Sequence, residues 1–380
     1  VERLTWAAVF ARRMGRQGLL DPHPGSPADV VAAMCGAHAQ VMSAGEASVA
    51  LRMPGASRAT VQEALWERGE LVKTFGPRGT VHLLPARDLA VWTGALSSVP
   101  PARSPFPEEV RLTPERAEAV LAAMADALRD AELTVDELGE AVVAGAGPWA
   151  GDLVMPAFQT MWPRWRQAVD LAAARGILCF GRNRGRKVTY TSPARLIPGF
   201  APAAGGEKEL ARMFLRAYGP AMPATFAWWL GVPRAWADSV FEALAGELER
   251  VEVEGVPGWV LAGDREFPAE PPRGVRLLPY FDAYAIASRP RERLFPGRAA
   301  ERALARGQAG NYPVLLVDGV VAGVWHQRRA GRRIHVTAEP LDELSPAHLK
   351  ELEAQVERLG EVLAGTPELT VGPVTVGPHA

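Results

Sequence analysis

The chain has 380 residues, enough for about two to four domains, and its 48% hydrophobic content supports a full core and excludes a disordered polymer. Its net charge of −1 argues against a general polyanion binder, although Lys occurs only four times and 38 of the 42 basic residues are Arg, the better ligand of phosphates and base edges; high-GC codon usage would give the same bias. The two cysteines, Cys35 and Cys179, make neither a zinc site nor a disulfide framework, and with no membrane-length apolar run and no signal-peptide pattern the chain is expected to be soluble, reduced and cytoplasmic.

Residues 4–14 (LTWAAVFARRM) place apolar side chains at helical spacing. Ser26-Pro27-Ala28-Asp29 is a helix start, with Ser as N-cap, Pro at N1 and Asp in the first turn; Val30, Val31 and Met34 continue it, and Gly36 stops it. Further helices are predicted from near Ser43 and from Ser57. Gly69-Glu70-Leu71 then leads into two short β runs around a Gly-rich turn, VKTFGPRGTVHLL (72–84).

The same unit recurs twice. After a Pro-rich linker (99–107), Thr113-Pro114-Glu115 starts a helix, Thr134 and Glu137 form a capping-box signature, and a third helix is predicted over 164–174. Gly176-Ile177-Leu178 leads into CFGRNRGRKVTYT (179–191). After a second linker (198–206), helices are predicted over 207–218, 225–231 and 233–248, and Gly246-Glu247-Leu248 leads into ERVEVEGVPGWVLA (249–262). Helices followed by a two-stranded hairpin make a winged helix, and three in tandem, over 1–98, 108–197 and 207–265, point toward DNA. From about 270 the pattern changes to strands, over 274–287, 313–327 and 332–340, with turns at Asp318-Gly319 and Ala330-Gly331. An amphipathic helix over 344–363 and a last apolar run (368–376) complete a mainly β, barrel-like domain over 270–380, and an α+β fold overall.

Four segments offer chemistry. If the chain is extended after Gly36, period-two alternation puts His38 and Gln40 on one side and Ala39 on the other; the alternative is a pair that satisfies backbone groups at a helix junction. Thr80 and His82 alternate onto one strand face, and Arg78 sits in the wing turn, where it would meet phosphate or simply be solvated. Arg182, Arg184, Arg186 and Lys187 crowd the second wing tip, and Arg328, Arg329, Arg332 and Arg333 flank a predicted hairpin turn. Like charges this close repel, so a partner anion accounts for them, as would a solvated tip that blunts a sheet edge. Trp162, Trp165, Trp228 and Trp229 are expected on helices, with core packing the role of at least one of each pair. No Ser-His-Asp order, nucleotide loop or HExxH appears, so metal-dependent or serine hydrolysis is poorly supported.

Together, LTWAAVFARRMGRQGL (4–19), HAQ (38–40) with the nearby Ser43, RGTVHLLP (78–85), FLRAYGPAMPATFAWWLG (214–231), LLPYFDAY (277–284) and LLVDGVVAGVW (315–325) resemble the bacterial AlkZ/YcaQ-like DNA glycosylases. The resemblance spans nearly the whole chain and rests on the order of the motifs. It implies three winged helices and a β-barrel arranged as a C around duplex DNA. It also implies a monomer needing no cofactor, and excision of N7-alkylated guanines, including bulky adducts of genotoxic natural products. Family members carry Gln-x-Gln or Gln-x-Asp where this chain has His38-Ala39-Gln40. The departure looks like a variant among enzymes conferring resistance to intercalating guanine alkylators.

Such chemistry suits these groups. An N7-alkylguanine already bears a positive charge, so its departure needs no general acid; water must be placed at C1′ and oxocarbenium character stabilised. Gln40 would orient the water, and His38, with an ordinary pKa of about 6.5, would accept its proton or hydrogen bond. A bulky adduct resists rotation into a snug pocket, so an open channel lined by His38, Gln40 and strand 78–82 is expected, with the arginine hairpin in a groove beside the lesion. A winged-helix DNA-binding regulator and a drug-sequestering protein remain the rival readings.

Overall fold

A computed structural model describes residues 4–101, 106–157 and 160–378; the centre of the predicted 99–107 linker lies outside them. Three times along the chain, helices run into a two-stranded antiparallel hairpin that gains a short third strand or a single bridge.

In the first unit, α1 (Trp6–Arg16) starts at Thr5, and α2 (Pro27–Ala33) starts at a capping box between Ser26 and Asp29, as the spacing predicts. Cys35 and Gly36, both with positive φ (53° and 95°), end α2 and turn the chain into β1 (Ala37–His38). After α3 (Met42–Ala50) and α4 (Arg58–Trp66) come β2 (Leu71–Phe75) and β3 (Val81–Pro85), in the order β1-β3-β2. An unpredicted helix, α5 (Leu89–Ser97), follows.

The second unit comprises α6 (Pro114–Leu128), β4 (Leu133–Thr134) and α7 (Val135–Ala146), the last capped by the Thr134/Glu137 box. A hairpin not foreseen from sequence, β5 (Leu153–Ala157) and β6 (Thr160–Pro163), precedes a 3₁₀ turn (164–168), α8 (Val169–Ala174), β7 (Cys179–Phe180) and β8 (Thr189–Thr191). Here the helical placement of Trp162 is corrected: it lies in β6 opposite Met155, because Pro163 pushes the residue before it toward extended backbone, while Trp165 is helical and buried.

The third unit follows α9 (Pro193–Leu196) and contains α10 (Gly206–Tyr218), α11 (Pro223–Leu230), α12 (Arg234–Ala243), β9 (Leu248–Val253) and β10 (Val256–Leu261), with Ala221 bridged to Trp259.

The last region corrects the 274–287 strand. Only β11 (Val275–Leu278) is extended; Pro279 interrupts it, and Asp282 accepts from the Tyr284 N–H to cap α13 (Ala283–Ala287). After α14 (Arg291–Leu294) and α15 (Arg298–Ala303) come β12 (Val314–Val317), β13 (Val320–Ala330), β14 (Arg333–Pro340), α16 (Pro346–Val362) and β15 (Thr366–Val371). The sheet runs β11-β12-β13-β14-β15, with β15 parallel to β14 and no pairing between β11 and β15. It is an open half-barrel, not a closed barrel, with α16 packed across it.

Burial explains how the units hold together. α1 points Trp6, Val9, Phe10 and Met14 into the half-barrel's core beside Leu278, Tyr284 and Leu316. Its other face meets the third unit: Arg12 and Arg16 both pair with Asp264. α5 places Leu89, Trp92 and Ala95 in one core with Phe214, Phe226 and Trp229, which joins the first and third units. The Tyr218 hydroxyl, donating to the Met34 carbonyl at 2.7 Å, fixes that joint next to β1.

Candidate active site at the first hairpin

β1 is only two residues long, and it is held from both sides. Ala37 pairs with Leu83 and His38 with His82, while the Ala39 N–H donates to the Val81 carbonyl at 2.7 Å. Behind it, α3 lies so close that a Cβ on Gly45 would fall 2.7 Å from the His38 carbonyl oxygen. The alternation expected for 38–40 is realised in part: Ala39 joins the core, His38 is 8% exposed, and Gln40 is open to solvent.

His38 and Gln40 meet at the start of β3. The Gln40 N–H donates to His38 Nδ1 at 3.4 Å, and Gln40 Oε1 accepts from the Val81 N–H at 3.4 Å; both contacts are long. The first leaves the His38 proton on Nε2. His82 is the complement: its Nδ1–H donates to the Thr80 carbonyl at 2.8 Å, so its lone pair is on Nε2. The two rings sit edge to face with centroids 5.0 Å apart. Burial, and then the positive charge of Arg78, pushes the His38 pKa down to about 4. Burial, and then His38, depresses His82 as well. Both imidazoles are therefore neutral at neutral pH, and His38 is a weaker base than its ordinary pKa suggests. The partly open hollow that His38 and His82 line with Tyr218 and Trp229 has about 10 Å³ of internal space, room for no more than a water and far too small for a base.

The wall opposite comes from the half-barrel, and sequence reasoning missed it. Phe281 stacks on the His38 ring with centroids 4.7 Å apart and a left-handed backbone, φ 56°. A bulky residue held there is backbone strain that its surroundings must hold in place. The next residue anchors it: Asp282 takes both Arg52 Nη1 and Nη2 at 2.8 Å and the Ser48 hydroxyl at 2.5 Å, and the carboxylate and guanidinium are wholly buried. Ser48 and Arg52 lie on and just after α3, so this bidentate pair locks the Phe281 loop to the helix behind β1. The LLPYFDAY motif marked the segment; nothing in its spacing told which helix it would meet.

The other predicted residues scatter. Ser43 is exposed in the first turn of α3 and borders a cavity of about 240 Å³ with Val41, Tyr280, Trp325 and His326. The Thr80 hydroxyl donates to the Pro77 carbonyl, bracing the turn. Arg78 is partly committed, donating to the Trp229 carbonyl at 2.7 Å and so capping α11. On the β7–β8 hairpin tip, Arg182 pairs with Glu67, Arg184 with Glu137 and Lys187 with Asp136; all are exposed, and Arg186 has no partner among the described residues. On the β13–β14 hairpin, Arg329 donates to the carbonyls of Leu363 and Ala364 at the end of α16, and Arg333 pairs loosely with Glu368 at 3.5 Å. Arg328 and Arg332 have no partner among the described residues.

The repeated helix-and-hairpin units and the half-barrel loop that closes over the first hairpin give the fold, and comparison with known proteins gives the class, a DNA glycosylase. A family model described as "DNA glycosylase AlkZ-like" matches residues 31–362, and the chain belongs to that family. It is 31% identical over 370 residues to an interstrand DNA cross-link repair glycosylase of Streptomyces sahachiroi, covering 93% of this chain and 95% of that protein. The solved structure of Streptomyces sahachiroi DNA glycosylase AlkZ matches with a TM-score of 0.80 at 29% identity, over 98% of this chain and 100% of that one. The resemblance drawn from the motifs is borne out, as is the α+β class.

Proposed function

We propose that this glycosylase hydrolyses the N-glycosidic bond of N7-alkylguanine in duplex DNA. Its substrates are bulky adducts of an intercalating genotoxic natural product, which makes it a repair and self-resistance enzyme. The observation that supports this most is the pairing of an exposed Gln40 amide with a buried, neutral His38 beside a hollow of only about 10 Å³. Such a site does not swallow a base; it presents groups to a sugar that stays outside. This suits an adduct wedged in the stack.

Water attacks C1′ as the C1′–N9 bond breaks, and the bonding electrons neutralise the cationic purine, so the leaving group needs no proton. The Gln40 carbonyl oxygen accepts a hydrogen bond from the water and orients it; an amide cannot take the proton, which passes to solvent. His38 offers a neutral hydrogen-bonding ring beside developing positive charge. A protonated ring there would oppose the oxocarbenium, and burial next to Arg78 keeps it uncharged. This replaces the expectation of a base working near pH 6.5.

The three helix-and-hairpin units act as winged helices, and with the half-barrel they curve as a C around the duplex, with the protein a monomer. Arg328 and Arg332 reach phosphates beside the lesion, with Arg329 and Arg333 setting the hairpin tip. Arg182, Arg184, Arg186 and Lys187 lie along the flanking duplex. Exposed ion pairs such as theirs exchange cheaply for phosphate. Ser43 and Thr80 complete the lesion-facing edge, and the buried His82 braces His38 from beneath it.

Two duplexes test the reading, one with N7-methylguanine and one with a bulky intercalator–guanine N7 adduct. Each is treated with wild type, His38→Ala and Gln40→Ala, then heated in base to cut abasic sites. Cleavage by wild type that falls about a hundredfold or more in both variants is expected, with faster action on the bulky adduct. Variants as active as wild type would overturn the site assignment.

A further inference from the structure

Three arginines gather around one tryptophan beside the His38 cavity. Trp228, near the C-terminal end of α11, is 40% exposed. The Arg289 guanidinium lies 3.6 Å from its ring centroid, and those of Arg78 and Arg291 lie at 5.8 Å. Two of the three have local work. Arg78 donates to the Trp229 carbonyl, and Arg291 donates to the carbonyls of Ala285 and Ile286 at the end of α13. Arg289 has only the tryptophan face: no acidic side chain lies within ion-pair distance among the described residues, and the nearby charge of Glu292 belongs to an exposed side chain. Arg289 and Arg78 both disfavour the charge on Arg291, and Arg289 also disfavours that on Arg78.

The group is built and not incidental. The fully buried Arg13 of α1 donates to the Arg289 carbonyl at 2.6 Å and to the Pro220 carbonyl at 3.3 Å, which fixes the backbone that carries Arg289. Residues on both sides of the group, Arg78, Trp229, Ile286 and Ala287, also line the cavity of His38. A half-buried guanidinium held over an indole face keeps N–H groups free for a planar or tetrahedral oxyanion.

We propose that Arg289, held on Trp228, grips a backbone phosphodiester of the bound duplex next to the nucleotide that His38 and Gln40 attack. The placement rests on the active-site reading above; the anion site itself does not. A phosphate here would relieve the mutual repulsion of the three arginines and set the sugar's distance from Gln40. It makes Arg289 a DNA-binding, positioning residue that the sequence motifs did not single out.

The test uses lesion-free duplex and the full chain, with affinity measured by fluorescence anisotropy across a salt series. Arg289→Gln should bind about tenfold more weakly near physiological salt and lower the salt slope by about one unit, with the melting temperature unchanged. Arg289→Lys should restore the slope, because it keeps the charge. An unchanged slope in Arg289→Gln would overturn the proposal, even with weaker binding, which would then reflect lost packing on Trp228. A slope lowered equally in Arg289→Lys would also overturn it, as the loss would not be one of charge. Failure of the active-site reading shows elsewhere, as excision that survives His38→Ala and Gln40→Ala while duplex binding is unaffected.

Discussion

The first and second hairpins share one sequence pattern and have opposite fates. In the first, the turn 76–80 is driven into the molecule: Arg78 caps α11, and a Cβ on Gly231, the left-handed residue that ends α11 at φ 80°, would fall 2.9 Å from Arg78 Cα. In the second, the tip 182–187 stands in solvent, and a Cβ on Gly185, also left-handed at φ 62°, would meet nothing within 4 Å. The same local code makes both hairpins, and their neighbours decide which becomes a wall of the candidate site and which an exposed charged edge. The arginine of the first turn is therefore a structural cap that adds to the burial keeping His38 neutral, while the basic residues of the β7–β8 tip stay at the surface in exposed ion pairs or, for Arg186, without a partner among the described residues.

That contrast is tested most severely at the joint holding the first unit to the half-barrel. Asp282→Ala leaves the wholly buried Arg52 without its carboxylate and should cost about 3–5 kcal/mol in denaturant unfolding. A loss under about 1 kcal/mol would show that the joint does not fix the Phe281 loop.

Next in size is the pair of glycines. Gly231→Ala must accept both a left-handed backbone and a clash with Arg78, and should cost about 2–3 kcal/mol; Gly185→Ala meets only the backbone term, about 1 kcal/mol. Equal losses would mean that the first turn is not packed as described.

The pH profile sharpens the comparison in another way. His38 is needed neutral and its pKa is lowered to about 4, so excision above the spontaneous background should be flat from pH 8 to about 5.5 and fall only as pH approaches 4. A limb near 6.5 would place His38 in water in the working complex. Folding follows the same sign: the unfolded chain protonates this imidazole near 6.5 and the folded chain does not, so its contribution to stability declines as pH drops from about 6.5 toward 4.

The smallest expected effect on stability lies at the second wing. Arg186→Ala, with no partner among the described residues to lose, should shift stability by no more than about 0.5 kcal/mol and lower the salt slope of duplex binding by about one unit if it touches phosphate. An unchanged slope would remove this wing from the DNA-facing surface.

Much of the architecture was legible because its signals are local. Ser26 with Asp29 and Thr134 with Glu137 cap their helices where the spacing says they should. The hairpins at 71–85, 248–261 and 314–340 follow period-two runs and turn residues, which depend on neighbours a few positions away. The errors share a cause as well. Residues 274–287 are apolar enough for a strand, but Pro279 and the Asp282 cap divide them. Helix α5 went unseen because it is apolar on most sides, buried between two units, and shows little of the periodicity by which a half-exposed helix is recognised.

By itself the sequence determined the repeated helix-and-hairpin order and the glycosylase family, and it singled out His38 and Gln40 as candidates, through motifs that each lie within one short stretch. Only the tertiary structure decided that His38 is buried and neutral, that Phe281 covers it, that Asp282 ties that cover to Arg52, and that Arg289 lies on Trp228. The partners in these contacts stand from about 60 to more than 240 positions apart. Burial, dielectric and charge neighbourhood are properties of whichever residues the fold brings together, and no local pattern contains them.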